Sequence, residues 1–433
     1  MSIKAEVENI IKRRWESLKD PKELISLYSI EKQTNQGYNG RQLLELFQNC
    51  EDEGANKVRI LLDTQNCLLE ISNDGDKPFS IKGYDSIFYP GLSSKVSSDY
   101  IGNKGLGFRS IINWADEISI ISNDFKVIFN SIYKKEILLN YIGYSEIELN
   151  RIREERRLSS DIYPIPLLNS CKIADLDIAN NFTTSIVIKY KKKFEDDIIN
   201  QLQSISVKTL LFLQNIKTIE IDGDKIKNTI SIVRKKTENG NYEIIHNNEN
   251  YFVLSDEGIV DSTLVDDKES SEPKRYSVKI AYNEDLSFTD TVLYSYFKTK
   301  IQFELPFVVH ASLDLDQNRN HSSESKVNPF ILDKLFQLHL KFIEILKLKF
   351  DKSWLPFQTI NTNSFNVYKP YDDLIKNYWD NFAIYPTFSG EYLKLSQAIN
   401  LGNVFARFVE ENNLGQVLNK MLIRKVSYYK FWI

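Results

Sequence analysis

The chain has 433 residues, of which 42% are hydrophobic and 26% are charged, and its net charge is −4. This is an ordinary globular composition with room for two or three domains, and the charge gives no general drive toward nucleic acid or anionic membranes. Its three cysteines, an odd number without a CxxC motif, and four scattered histidines argue against a zinc site and favour a reducing, cytoplasmic location.

The chain begins with an amphipathic pattern over residues 1–20 that predicts a helix. The pattern lacks the apolar core of a signal peptide, and no apolar run of about 18 residues follows anywhere, so we expect no membrane partner. Asp20-Pro21 ends this helix, and residues 24–28 predict a second, short one.

The segment 43–55, LLELFQNCEDEGA, places three polar residues on one helical stripe. Glu45, Asn49 and Asp52 follow at i, i+4 and i+7, so a carboxylate, an amide and a carboxylate share one edge of the predicted helix. Taken alone, the stripe is more typical of a solvated surface helix than of a binding site.

A hairpin follows this helix. Residues 57–63 and 68–72 alternate in the manner of two strands, and Asn73-Asp74-Gly75 forms the turn that ends the second one. Residues 81–88 predict a short helix.

A glycine-rich segment, YIGNKGLGFRS at 100–110, predicts an anion-binding loop. Backbone amides approach an anion closely where glycines are frequent, and the apolar start of a helix follows at Phe108. The spacing fits neither a Walker loop nor a Rossmann fingerprint.

Residues 118–122, 126–129 and 184–190 predict strands, and a helix runs from 191 towards 213. Together these elements indicate an α/β sandwich with a mixed sheet.

A second region begins near Lys217 with several short strands. We expect an exposed loop at 255–275, a long buried strand at 303–315, a helix at 328–350 and a last helix near 403–420. The apolar end of the chain raises the expectation of a longer polypeptide.

Four motifs in this order, LLELFQNCEDEGA, NDG, IGNKGLGFRS and TTSIVIKY, resemble the nucleotide-binding segments of the GHKL ATPases, in particular the sacsin-like and heat shock protein 90-like branch. The resemblance covers residues 20–225 well and continues more weakly beyond them. It implies an α+β protein with a Bergerat-fold ATP-binding domain at 1–215, a middle or transducer-like α/β domain at 216–350, and an aromatic-rich, mostly helical segment at 351–433.

The resemblance implies a Mg²⁺-dependent ATP site. Glu45 would activate the attacking water, Asn49 would supply an oxygen to Mg²⁺, and Asp52 would lie nearer the ribose and base. The remaining ATP contacts implied by the glycine segment and the lid before it are Ser94, Lys95, Gly102, Lys104, Gly105, Leu106, Gly107 and Phe108.

The chain departs from the family at the residue that reads adenine. Aligned on Gly75, it has Asn73 where the family has an aspartate, and either Asn73 or the neighbouring Asp74 would meet the base. Thr184 matches the threonine that supports adenine recognition through a water.

The second domain of the family donates a cation to the γ-phosphate. Arg319 resembles the heat shock protein 90 arginine, and Lys298 and Lys300 are rival donors reminiscent of the gyrase and MutL lysine.

The resemblance therefore implies a slow ATPase that couples lid closure and domain movement to a protein partner or a downstream effector domain, in a chaperone-like or bacterial antiviral-defence role. A homodimer formed on ATP binding is a further expected partner, and nucleic acid enters only indirectly. The alternative is a nucleotide-gated binding module with negligible hydrolysis. A histidine kinase, for which His339 is the nearest phosphoacceptor, and a DNA-acting enzyme are weaker rivals.

Overall fold

The computed structural model describes residues 2–37, 40–88, 107–176, 181–237, 241–265, 273–283, 292–316, 319–349, 359–360, 366–378, 381–386, 391–397, 408 and 411–412. The chain divides into two compact units, Met1–Val233 and Arg234–Ile433. Helices and two mixed sheets make a protein of α+β class, as expected. Within the described ranges, no helix combines the length and the apolar character needed to cross a bilayer.

The first unit combines helices with an eight-stranded sheet. Its helices are α1 Ile3–Ser17, α2 Pro21–Gly37, α3 Gln42–Asp52, α4 Ile81–Phe88, α5 Lys134–Glu136, α6 Glu146–Glu155, α7 Glu195–Gln203 and α8 Val207–Leu210. Its strands are β1 Lys57–Asp63, β2 Leu68–Asn73, β3 Ala115–Ser122, β4 Phe125–Asn130, β5 Cys171–Asp175, β6 Thr184–Tyr190, β7 Thr218–Gly223 and β8 Lys227–Ser231. The strand order is β5-β4-β3-β6-β2-β1-β7-β8, and β1 and β7 are parallel.

One face of this sheet is buried, because apolar side chains occupy alternate positions along each strand. Ile71 of β2 pairs with Ile186 of β6, which in turn pairs with Ile120 of β3. All three are buried, so they form an apolar row across the middle of the sheet. Directly paired residues share a face, and because successive side chains alternate between the faces, the row two residues further along the strands is on the same buried side.

Two predicted boundaries in the first unit differ from the structure. The second helix is much longer than 24–28, since α2 spans Pro21–Gly37. The segment after the glycines is a seven-residue 3-10 helix, Gly107–Asn113, in place of an α-helix. The strand β3 begins two residues later, and short connections of this kind commonly adopt the 3-10 form.

The expected domain boundary at 215/216 precedes the last two strands of the first sheet. Thr218–Gly223 pairs in parallel with β1, and Lys227–Ser231 pairs with Thr218–Gly223. The division of the chain into compact units therefore falls after Val233.

The second unit is built on a seven-stranded sheet and one long helix. Its strands are β9 Val233–Lys236, β10 Tyr242–His246, β11 Glu249–Ile259, β12 Arg275–Tyr282, β13 Val292–Ser295, β14 Phe297–Gln302 and β15 Val308–Ala311, in the order β14-β13-β15-β12-β11-β10-β9. Helix α9, Val327–Lys349, packs across β11, β12 and β15.

The described part of the C-terminal segment adds helix α10, Lys369–Tyr378, and the short strands β16 Tyr385–Pro386 and β17 Tyr392–Leu393. Tyr371, Ile375 and Phe382 join the same apolar core as the strands and α9. The described residues after 350 therefore belong to the core of the second unit, although we expected a separate segment. Most of the helix expected near 403–420 lies outside the described residues.

Two predictions in the second unit were wrong. The strand expected over 303–315 is reduced to Val308–Ala311, and Pro306, which has no N–H for the ladder, lies just before its start. The loop expected at 255–275 is in part a hairpin, since Ile259 still pairs with Arg275. A side-chain hydrogen bond also joins its two strands, since Tyr276 Oη donates to the Asp256 carboxylate at 3.0 Å.

Candidate functional site

Helix α3 carries the predicted stripe. Eight of its eleven residues are buried, and Glu45 is only 3% exposed, whereas Asn49 and Asp52 are half-buried. The helix ends at Asp52, and Gly54, two residues later, has a φ of +78°. The N–H groups of Gly54 and Ala55 donate to the carbonyls of Glu51 and Cys50, which is the Schellman pattern that glycine favours.

The Asn73-Asp74-Gly75 turn lies against the end of α3. A Cβ atom on Gly75 would come within 2.8 Å of the Glu53 carbonyl oxygen, so only glycine permits this approach. The structure thereby brings the end of α3, where Asp52 lies, next to the turn predicted to read the base.

Asn73 and Asp74 have different partners within this turn. The exposed Asp74 accepts hydrogen bonds through Oδ1 from the backbone N–H groups of Asn56 and Lys57, at 2.9 and 2.7 Å, at the start of β1. The buried Asn73 accepts through Oδ1 from the Gly75 N–H at 3.0 Å. Asp74 is thus engaged in holding a strand, and Asn73 is the member of the pair that lies on the buried face.

Asn73 begins a polar row across three strands. It pairs with Thr184 of β6, and Thr184 pairs with Ser122 of β3. The three side chains, which we call the polar row, are at most 6% exposed and continue the buried face beyond the apolar row. Two of the predicted ATP contacts, Asn73 and Thr184, are therefore direct neighbours.

Ser122 is the member of the polar row that sequence reasoning missed. Its Oγ accepts from the Phe79 N–H at 2.8 Å, donates to the Thr183 carbonyl at 3.0 Å and lies 3.0 Å from Thr184 Oγ1. The available signal was a serine at a strand position that alternation assigns to the buried face.

Glu51 was also missed, although it neighbours the predicted Asp52. It is buried, and its carboxylate accepts from the backbone N–H groups of three consecutive residues shortly before β7, namely Gln214, Asn215 and Ile216. No local pattern signals this role, because the partners lie more than 160 positions later.

A pair of buried charges lies beside the 3-10 helix. Arg109 is buried, and its guanidinium donates to the Ile87 carbonyl. Burial lowers the pKa of Arg109 to about 10, and the negative charge of Glu31 on α2 opposes that shift. Burial raises the pKa of Glu31, whose carboxylate accepts from the Leu167 N–H at 2.7 Å.

Most of the glycine segment and lid lies outside the described residues. This holds for Ser94, Lys95, Gly102, Lys104, Gly105 and Leu106. Gly107 and Phe108 are described and begin the 3-10 helix, which lies against α3. The predicted proximity of the glycine segment to the Glu45 helix therefore has support at its C-terminal end.

The second unit holds the three predicted cations. Lys298 and Lys300 are exposed on β14, and Arg319 is half-buried with a φ of +54°. The Lys300 N–H donates to the Asn320 carbonyl at 3.0 Å, so Arg319 lies in a turn next to Lys300.

The second sheet has its own polar row, formed by paired residues on four adjacent strands. Its members are Ser255, Lys279, His310 and Tyr294. His310 is fully buried, and its Nδ1 accepts from the Tyr296 N–H at 2.9 Å. Burial, aided by the nearby Lys279 charge, lowers the pKa of His310 well below its usual range.

His339, the candidate phosphoacceptor of a histidine kinase, is inside the core of the second unit. It is 0% exposed, its Nδ1 lies 3.0 Å from the Tyr371 hydroxyl, and its ring lies 4.8 Å from that of Phe307. Burial lowers its pKa to about 3. A phosphate donor cannot reach this side chain in the folded unit.

Among the described residues, no group of three or more His, Cys, Asp or Glu side chains is placed to hold a metal ion. The expected Mg²⁺ requires only the amide oxygen of Asn49 together with phosphate oxygens and waters, and Asn49 is half-buried at the edge of α3. Models of known protein families give no match to the chain, and a search of curated proteins gives none either.

Proposed function

We propose that the first unit binds ATP with Mg²⁺ and hydrolyses it slowly, as a GHKL-type module with a Bergerat fold. The observation that carries the proposal is the packing of the Asn73-Asp74-Gly75 turn against the end of the helix that holds Glu45 and Asn49. It is supported by the direct pairing of Asn73 with Thr184, the two residues that the family resemblance assigns to the base.

Glu45 is the proposed general base. Glu45 is 3% exposed and lies one turn before Asn49 on the same edge of α3, a position from which its carboxylate would orient and deprotonate the attacking water. Asn49, one turn later, offers the hard oxygen that Mg²⁺ prefers. When bound, Mg²⁺ neutralises charge on the β- and γ-phosphates.

In this proposal the remaining assignments follow the sequence motifs. Gly102, Gly105 and Gly107 with Lys104 surround the phosphates, and Asp52 lies nearer the ribose and base. Arg319, Lys298 and Lys300 stay predictions for the cation that meets the γ-phosphate. The output, which we propose to be a conformational change passed to a protein partner in the cytoplasm, is chaperone-like or defence-related.

The test compares hydrolysis and binding in matched variants. We expect Glu45→Ala to bind ATP and to lose hydrolysis by about 10²–10⁴-fold, the usual contribution of a general base. We expect Asn49→Ala to lose the Mg²⁺ dependence of binding. Glu70→Ala, which removes a half-buried carboxylate from the other face of β2, is the control and keeps both properties.

Two outcomes would contradict the proposal at different levels. Equal hydrolysis by the wild type and Glu45→Ala would reject the catalytic assignment and favour a binding module. If calorimetry shows no heat with ATP and Mg²⁺, and the melting temperature does not rise, binding of ATP by this unit is rejected.

A further inference from the structure

The hydrogen-bond donors and acceptors that the polar row leaves for a ligand decide which base the proposed site prefers. Asn73 has one oxygen and two N–H donors on its side chain. The Gly75 N–H can only donate, so the atom facing it at 3.0 Å is Oδ1. The amide is therefore oriented with its oxygen on the turn, and its Nδ2 donors are the end that remains for a ligand.

The orientation of the Thr184 hydroxyl follows from the contacts of Ser122. Ser122 has one hydrogen, and the Thr183 carbonyl, which can only accept, lies 3.0 Å from its Oγ. The Phe79 N–H occupies one lone pair of Ser122 at 2.8 Å. Thr184 satisfies the remaining lone pair if it donates its own hydrogen across the 3.0 Å contact.

The Thr184 hydroxyl then donates its only hydrogen to Ser122, so its Oγ1 can only accept a hydrogen bond from a ligand. The polar row thus presents a donor at Asn73 and an acceptor at Thr184, on side chains that face each other on neighbouring strands. Its complement is a base edge with an acceptor next to a donor, in that order.

We propose that this polar row makes the site prefer 6-oxopurine nucleotides over adenine nucleotides. The inference rests on the proposed nucleotide site and takes the base to be placed with its position-6 group toward Asn73. A 6-oxopurine presents an accepting O6 beside a donating N1–H, and both match. Adenine in the same orientation sets its amino group against the Asn73 donors and its N1 lone pair against Thr184.

The test uses inosine triphosphate, which differs from ATP only at position 6 and in the proton on N1. We expect the wild-type chain with Mg²⁺ to bind inosine triphosphate roughly tenfold more tightly than ATP by calorimetry, the ratio typical of gaining a net hydrogen bond or losing a mismatch. GTP, which shares the 6-oxo edge, is expected to follow inosine triphosphate.

Variants make the test specific to the polar row. Asn73→Asp removes the donors and should move the preference toward ATP. Ser122→Ala returns the Thr184 hydrogen to the ligand side and should reduce the ratio between the two nucleotides. Ser185→Ala alters the buried neighbour of Thr184 on the opposite face, where Ser185 Oγ lies 2.7 Å from Ser72 Oγ, and should leave the ratio unchanged.

The wild-type measurement needs no variant and separates the two proposals. ATP binding as tightly as inosine triphosphate, or more tightly, overturns the base preference and leaves the proposed ATP site standing. Failure of all three nucleotides to bind overturns the proposed site, and the base preference falls with it.

Discussion

Helices α3 and α9 both bury one side of the helix, but different groups hold them in place. The buried residues of α9 are apolar except for Asn328 and His339, and they join the core of the second unit. Half of the buried residues of α3 are polar, and its C-terminal end is tied down by the Glu51 carboxylate. Burying polar groups costs stability unless each is satisfied. The difference indicates that α9 is held by apolar packing in the core, whereas the buried polar side chains of α3 are held by hydrogen bonds or belong to the candidate site.

The largest expected effect comes from breaking the apolar side of this comparison. Phe307 is fully buried, with ring centroids 4.8 Å from His339 and 5.3 Å from Phe342 on α9. We expect Phe307→Ala to lower the free energy of unfolding of the second unit by about 3–5 kcal/mol through the cavity it leaves. Hydrogen exchange should quicken in β10–β15 and stay unchanged in β1–β8. Equal loss of protection in both sheets would contradict separate cores.

Glu51→Ala removes the carboxylate that holds the C-terminal end of α3. Three backbone N–H groups lose their acceptor, but Gln214 and Asn215 are exposed, so water can replace the carboxylate there. The buried Ile216 N–H is left unsatisfied, and we expect the first unit to lose about 1–3 kcal/mol. Denaturant unfolding measures it. Glu51→Gln keeps one accepting oxygen and should recover part of the loss. A change below about 1 kcal/mol in Glu51→Ala would show that other groups hold this end of α3.

Asp74→Ala sharpens the assignment of roles within the turn. Its Oδ1 accepts two backbone N–H groups at an exposed strand start, and we expect the first unit to lose about 1 kcal/mol, since water replaces the acceptor. Nucleotide affinity, measured on the same sample, should not change. A large loss of affinity would mean that Asp74, and not Asn73, meets the base.

The smallest expected effect is a dependence of the stability of the first unit on pH, which comes from the hydrogen bonds of one carboxylate. Glu195, at the start of α7, accepts from Lys192 and Lys225, and these hydrogen bonds lower its pKa from 4.5 to about 2. A lowered pKa in the folded state adds stability above the unfolded value, and that stability is lost as the pH falls through the folded one. The wild type should therefore melt above Glu195→Gln near pH 6, with the gap closing from about pH 4.5 down to about pH 2. A gap that stays constant over this range would contradict the shift.

Local sequence patterns predicted most helices and strands correctly, and the predictions that failed depend on contacts between residues far apart in the chain. The hairpin of β1 and β2 and the strand Thr184–Tyr190 were confirmed, because alternation and β-branched content act within a few residues. The strand at Thr218–Gly223 was recognised, but its parallel pairing with β1 joins residues some 160 positions apart, and nothing local assigns it to the first sheet.

The site shows the same division between local and distant information. Helical spacing grouped Glu45, Asn49 and Asp52 on one edge, yet it could not distinguish Asp52 from its neighbour Glu51, whose partners lie far along the chain. Motif order pointed to Asn73 or Asp74, and only the contacts of each side chain separated them. Ser122 entered the site through strand register, which a single strand does not reveal.

The buried charges of Glu31 and Arg109 make helix α2 part of the first unit. Glu31 belongs to α2, whereas Arg109 lies in the 3-10 helix Gly107–Asn113, and each moderates the cost of burying the other. A shortened protein that began after Gly37 would strand a guanidinium in the interior without its counter-charge. Helix α2 is thus an integral portion of the first unit, because it supplies the negative charge that offsets the burial of Arg109.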